Sequence, residues 1–396
     1  QGTTLRDAYR ALMQQHFPAE GALPDTLFFS HPQYNTWIEL MYNQNQHDIL
    51  TYARHIIDHG LPPGILMIDD NWQRYYGNFD FKCERFPNPR AMVDSLHRQG
   101  FKVMLWISPF VTADSPEYRA LAKQGLLLRD ATGNPAIIPW WNGQSACFDL
   151  TNPSALDYLE HTLRGMMHDY AIDGFKFDGG DNIYYDRADL RPYRKDARSV
   201  DQTKGWAELG CRFAFNEYRA CWQMGNHPLV QRLGDKDYSW KAVQQLVPDM
   251  IAAGLLGYGY ACPDMIGGGS FASFLDIDAD KFDQALIVRS AQVHALMPMM
   301  QFSVAPWRIL SAENMKIIRA MAQLHVQKSP YILACARETA RTGEPIVRSL
   351  EYEFPHQGYE KVHDQFMLGS RLMVAPMTTP GTSRTIVLPP GRWRDD

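Results

Sequence analysis

Stretches of helical periodicity alternate with short apolar runs along most of this chain. A helical stretch over Thr4–His16 is followed by Tyr34-Asn35-Thr36-Trp37-Ile38-Glu39-Leu40, which predicts a first strand. Ile49, Leu50, Tyr52, Ala53, Ile56 and Ile57 then recur at helical spacing within Asn45–Gly60. Gly64-Ile65-Leu66-Met67-Ile68-Asp69-Asp70 is an apolar strand ending in two carboxylates. A helix over about Asn88–Gly100 stops at its glycine and leads into a third strand, Phe101–Ile107. A helix at Pro153–Tyr170 precedes Ile172-Asp173-Gly174-Phe175-Lys176-Phe177-Asp178-Gly179-Gly180-Asp181, a short strand that breaks at two glycines. A further helix at about Lys204–Met224 leads to a strand at Pro228–Leu233.

Strands alternating with helices imply βαβ units and a parallel sheet. Polar residues recur at the C-terminal ends of these strands. The expected class is therefore α/β, a (β/α)8 TIM barrel with its active site on that face. An open doubly wound sheet is the alternative, but no strand–turn carries a Gly-x-Gly-x-x-Gly phosphate loop. The tail differs. Phe366–Ala375 and Ser383–Leu388 are β-rich and separated by Pro376–Thr382, as in the start of a C-terminal antiparallel β domain. The division expected is a barrel over residues 1–335 and the beginning of a β domain over 336–396.

Composition narrows the classes of function. With 396 residues, 45% hydrophobic and 12% aromatic, the chain can bury a large core, which excludes a disordered protein. A formal charge of −5 without a Lys/Arg cluster excludes a nucleic-acid partner. There is no apolar run of eighteen residues, so no membrane span is expected. The six cysteines are widely spaced, with no Cys-x-x-Cys pair, and are expected as buried free thiols. No His/Cys cluster has ligand spacing, so neither a metal nor an organic cofactor is expected. The chain begins at Gln1 rather than Met, as expected of a processed or truncated product, and a periplasmic or secreted location is expected ahead of a cytoplasmic one. Nothing in the sequence signals an oligomeric state.

The candidate chemistry centres on Asp178. It ends a strand, and Lys176, two residues earlier, shares its face. A cation beside a carboxylate favours the ionised form that a nucleophile needs. Hydrolysis of a glycosidic bond requires a second carboxyl group, and Asp235 follows what reads as the next strand, in Arg232-Leu233-Gly234-Asp235. Neighbouring strands lie roughly 4.8 Å apart, so the two groups could approach the ~5 Å separation of a retaining mechanism.

Matching motifs run in order from Trp37 to Trp393. They include Ile68-Asp69-Asp70-Asn71-Trp72, Phe79-Asp80-Phe81, Phe86-Pro87-Asn88-Pro89 and Gly100-Phe101-Lys102-Val103. The Asp178 strand, Arg232 with Gly234-Asp235, and Pro263-Asp264-Met265-Ile266-Gly267-Gly268 continue the series. Leu368–Pro376 and Leu388-Pro389-Pro390-Gly391-Arg392-Trp393 complete it. In these residues the chain resembles glycoside hydrolase family 31, the retaining α-glycosidases.

By that resemblance Asp178 holds the nucleophile position and Asp235 the general acid/base position, protonated in the free enzyme. Asp70, Arg232, Asp264 and His294 fall where the family grips sugar hydroxyls, with Asp69 beside them. Trp37, Trp106 and the Trp140-Trp141 pair are the implied sugar platforms, and Asn142 extends that loop. Bland readings stand beside these: Asp69 and Asp70 as helix caps, His294 as a satisfied core histidine, Trp106 as core. Around the nucleophile the family's α-glucosidases usually carry Trp-x-Asp-Met-Asn-Glu, whereas this chain has Lys176-Phe177-Asp178-Gly179-Gly180-Asp181. That run and Trp140-Trp141-Asn142-Gly143 are similar to a branch that includes bacterial α-galactosidases. The implied function is a retaining exo-α-glycosidase acting on an α-galactoside or an oligosaccharide bearing one. The alternatives are another α-glycosidase of the family such as an α-glucosidase, a transglycosylase, or a catalytically retired sugar-binding protein.

Overall fold

The structure is a computed structural model in which residues 2–275, 277 and 282–395 are described. Eight parallel strands carry the architecture: β1 (Gln33–Asn35), β2 (Ile65–Ile68), β3 (Lys102–Ile107), β4 (Gly174–Phe177), β5 (Phe215–Tyr218), β6 (Val230–Arg232), β7 (Ala261–Cys262) and β8 (Gln301–Phe302). They pair in the order β7-β6-β5-β4-β3-β2-β1-β8. A parallel bridge between Met265, just after β7, and Gln301 of β8 brings the two ends together into a nearly closed barrel. Helices lie outside this ring, among them α1 (Gln46–Asp58), α2 (Pro89–Arg98), α3 (Pro153–Tyr170), α4 (Ser199–Gly210), α5 (Trp240–Leu255) and α6 (Gln284–Ala295). Asn45, Asn88 and Asn152 cap α1, α2 and α3 by accepting from backbone N–H groups of the first turn. The long helix α7 (Ala312–Thr342) then leads to a three-stranded antiparallel sheet of β9 (Val347–Arg348), β10 (Phe366–Leu368) and β11 (Leu372–Val374).

Packing decides which way each β4 side chain points. Phe175 and Phe177 are fully buried, and Phe177 packs against Trp206, Phe213 and Tyr218 at centroid distances of 5.0, 6.1 and 5.1 Å. Such an aromatic contributes several kcal/mol to its site, about 3–5 by truncation. With Phe177 committed to that cluster, Lys176 and Asp178 take the opposite face. Gly179 and Gly180 then turn the chain with φ of +65° and +73°, and a Cβ on Gly180 would meet Trp206 at 2.6 Å. The strand therefore stops one residue before its carboxylate.

Three expectations are corrected. The first strand is Gln33–Asn35, and Trp37–Leu40 is a helical turn whose first N–H is capped by Asn35 Oδ1 at 2.8 Å. The helix expected over Lys204–Met224 ends at Gly210 and is followed by β5. The pattern Phe215-Asn216-Glu217-Tyr218 hid this strand because polar Asn216 and Glu217 are fully buried. Ser383–Leu388 is not a strand. The backbone of Val387 pairs instead with the Gln365 side chain, at 2.8 and 2.9 Å. All six cysteines are free thiols, three of them buried. Among the described residues no helix is long and apolar enough to cross a membrane.

Candidate active site

A cavity of about 550 Å³ opens at the C-terminal ends of the barrel strands. Asp69 and Asp70 follow β2, Trp106 lies near the end of β3, and Lys176 and Asp178 come from β4. Arg232 and Asp235 follow from β6, and Trp37, Tyr42, Trp141 and Phe271 add aromatic surface. The two candidate catalytic carboxylates thus line one cavity, although not from neighbouring strands: β5 lies between β4 and β6. Asp235 reaches the cavity from the loop beyond Arg232.

Asp178 is surrounded by donors and cations. Trp106 donates its indole N–H to Oδ2 at 2.6 Å, and the Gly179 N–H donates to Oδ1 at 2.9 Å. Lys176 Nζ stands 3.9 Å from Oδ2 and Arg219 Nε 3.8 Å from Oδ1. Lys176 is enclosed and also pairs with Asp69 at 2.7 Å. Burial works against its charge, but Asp69 and then Asp178 outweigh it and hold its pKa above the ordinary lysine value. Charges about 4 Å apart attract by roughly 4 kcal/mol at an effective dielectric constant near 20. Burying each ion costs a similar several kcal/mol. One carboxylate would about balance that cost, and the second tips Lys176 towards the charged form.

Asp70 behaves differently. Burial and the neighbouring Asp69 push its carboxyl up to about 7, against hydrogen bonds from Tyr76 and Asn142 that pull it down. Tyr76 OH and Asn142 Nδ2 donate to Oδ2 at 3.1 and 2.7 Å, while Oδ1 has no protein hydrogen-bond partner. Asp70 is therefore a pocket carboxyl with one buried, unpaired oxygen, not a helix cap.

Asp235 departs from the state expected of it. Its side chain keeps 41% of its surface exposed, and Oδ1 accepts from Arg232 Nη1 at 2.8 Å. Burial pushes its pKa up, but Arg232, Lys176 and Arg219 together hold it below the usual carboxylate value. In this arrangement the surrounding cations favour the ionised form of Asp235 over the protonated one expected. Asp264 shares the same guanidinium at 2.7 Å and accepts from the Lys236 and Gly269 N–H groups.

The other candidates fall in a second layer. Trp140 is buried against Phe110 and Tyr76, behind the more exposed Trp141, and Asn142 bridges Asp70, Tyr76 and Tyr42. Asp264 lies behind Arg232. His294 is fully buried on α6, its ring nitrogens 2.7 Å from Ser290 O and 3.1 Å from Asp264 O, and does not line the cavity. Burial lowers its pKa to about 4, against the two carbonyls, which favour the protonated ring. Sequence reading passed over Tyr42, Arg219, Asp237 and Phe271, which do line the cavity. Arg219 is held over the Trp141 ring at 5.0 Å and pairs with Asp181 at 3.2 Å. Its position one residue after the unrecognised β5 was the available signal. Among the described residues no group of three or more His, Cys, Asp or Glu side chains is arranged to hold a metal ion.

Comparison with known proteins places this chain. The model of the glycosyl hydrolases family 31 TIM-barrel domain matches residues 28–335, and that of the family 31 C-terminal domain matches 343–396. The chain belongs to glycoside hydrolase family 31. The myogenesis-regulating glycosidase of Mus musculus is 32% identical over 403 residues, covering 99% of this chain and 56% of its own length. A 1,3-alpha-isomaltosidase of Kribbella flavida is 25% identical, covering 78% of the chain and 46% of its own length. The chain thus spans about half the length of these relatives. A family 31 dextranase from Flavobacterium johnsoniae complexed with glucose superimposes with a TM-score of 0.84 at 22% identity, over 96% of this chain and 49% of its own. A family 31 α-xylosidase from a soil metagenome complexed with xylose gives 0.83 at 22% identity, over 96% and 60%. The fold here is a barrel that runs on into a three-stranded antiparallel sheet, in the order of the two family models.

Proposed function

We propose that this chain carries the active site of a retaining exo-α-glycosidase that removes a terminal α-linked galactose. The observation that carries the reading is the setting of Asp178, whose two oxygens each meet an N–H donor and a cation. That setting suits an anion attacking an anomeric carbon. In the first step Asp178 displaces the aglycone while Asp235 protonates the departing oxygen. In the second, Asp235 deprotonates water, which releases the sugar from Asp178. The pairing of Asp235 with Arg232 suits the second step, and the first requires Arg232 to loosen its hold.

The choice of galactose rests on the neighbours of Asp178. Where the family's α-glucosidases carry Trp two residues before the nucleophile, this chain has Lys176, a smaller group that offers a hydrogen-bond donor on the cavity wall. Galactose differs from glucose by an axial 4-hydroxyl, which needs both room and a partner, and leaves one ring face more apolar. Trp141, backed by Arg219, offers a flat surface for that face, and the Asp70 carboxyl on the cavity wall offers polar contact for a hydroxyl.

A panel of aryl α-galactoside, α-glucoside and α-xyloside, read by colour release and by NMR of the first-formed sugar, tests this reading. The expected result is preferred turnover of the galactoside with the α-anomer released first. Preferred turnover of the glucoside, or the β-anomer appearing first, would overturn it.

A further inference from the structure

Arg232 faces carboxylates from three parts of the barrel. Its Nη1 donates to Asp235 and Asp264, while its Nε stands 3.6 Å from Glu217 Oε1. Glu217 is wholly enclosed on β5 and does not line the cavity. Gln301 Nε2 donates to its Oε2 at 2.7 Å, yet Glu217 Oε1 and Arg232 Nε both lack a hydrogen-bond partner. A buried carboxylate and a buried guanidinium thus face each other just beyond hydrogen-bond range. Burial of this kind is costly and adds nothing to packing that an apolar pair would not supply.

We infer that Glu217 is a positioning residue for the acid/base carboxylate: it draws on Arg232 from inside the barrel and so sets how firmly Arg232 holds Asp235. The inference rests on the glycosidase reading above. Protonation of the leaving group needs Asp235 released from Arg232, and deprotonation of water needs it ionised again. Burial pushes the Glu217 carboxyl up, and Arg232, Lys176 and the Gln301 hydrogen bond support its charge against that. Ionised, it offsets the guanidinium's field at Asp235 and gives Nε a partner to move towards.

The other charges around this group are Lys176 and Asp178 from β4, Asp69 beyond Lys176, Arg219 after β5, and Asp264 after β7. Lys176 and Arg219 act on Asp235 in the same sense as Arg232. Asp264 shares Nη1 with Asp235, whereas Glu217 is placed to draw on Nε. Neutralising Glu217 leaves the charge on Arg232 less offset, so Asp235 surrenders its proton at lower pH.

The test compares kcat/KM–pH profiles of the unsubstituted chain and Glu217→Gln on two substrates. Methyl α-galactoside needs a proton from Asp235, and 2,4-dinitrophenyl α-galactoside does not. The alkaline limb for the methyl glycoside is expected to move to lower pH by about half a unit or more. The activated substrate should change by less than about threefold. Glu217→Asp, which keeps the charge but draws it back, should fall between. An unmoved limb in folded Glu217→Gln, equal losses on both substrates, or failure of both variants to fold would each overturn the inference. Absence of α-galactoside turnover in the unsubstituted chain would instead count against the function proposed above. If an α-glucoside were cleaved, the matching glucoside pair would carry the same test.

Discussion

The indole N–H of Trp106 and the Oδ2 of Asp178 meet at 2.6 Å, both enclosed at the end of adjacent strands. Hydrogen bonds to a charged partner are worth about 1.5–3 kcal/mol. Trp106→Phe keeps most of the apolar surface and removes the donor. Its kcat should fall roughly ten- to a hundredfold, measured on an aryl α-galactoside. An unchanged kcat would reduce Trp106 to a packing residue.

Asp235 gives a prediction with a sign. Its pKa is held below the ordinary value, so its protonated fraction grows as pH falls. Cleavage of an unactivated galactoside should therefore favour acidic pH. Asp235→Ala should lose that substrate by about a thousandfold or more, while retaining the first step on 2,4-dinitrophenyl α-galactoside. Added azide should then intercept the intermediate and yield a galactosyl azide. If the variant handles both substrates equally badly and azide has no effect, Asp235 is not the acid/base.

How much of this could be read in the chain differs by element. The helix Pro153–Tyr170 was legible to the residue because Asn152 and Pro153 mark its start. The Asp178 strand was legible because two glycines end it. Strand β5 was not, since Asn216 and Glu217 are polar residues buried inside the barrel, and inward polar groups erase the alternation that marks a strand. Losing β5 also made β4 and β6 look adjacent and left Arg219 unnoticed. Nor could spacing reveal that Asp235 would lie against Arg232, because that contact depends on how the loop beyond β6 folds back.

Asp70 links the site to stability. Its carboxyl is raised to about 7, so between its ordinary value of 3.8 and about 7 the folded state keeps a proton that the unfolded state has lost. Its contribution to stability therefore declines as pH rises through that window, by at most about 1.4 kcal/mol per pH unit. Asp70→Asn removes the titration. Urea midpoints at pH 4.5 and 7 should show the variant gaining on the unsubstituted chain as pH rises. A constant difference would place the Asp70 titration elsewhere.

Lys176 and Asp69 form an enclosed ion pair at 2.7 Å. Breaking a buried pair on one side leaves a bare charge and costs about 3–5 kcal/mol. Lys176→Met should destabilise the chain by about that much, because Asp69 loses its cation and Asp178 keeps only Arg219 nearby. Adding Asp69→Asn should recover part of the loss in chemical denaturation. If the two substitutions simply add, the pair is not coupled and Lys176 cannot be holding the nucleophile's surroundings together.

The central claim is that Asp178 forms the covalent bond to the sugar. Incubation with 5-fluoro-α-galactosyl fluoride, followed by proteolysis and mass spectrometry, tests it directly. The account predicts loss of the anomeric fluoride and a single 5-fluorogalactosyl adduct on the peptide carrying Asp178, absent in Asp178→Ala. An adduct on another carboxylate, or turnover of the reagent by the Asp178→Ala variant, would contradict it.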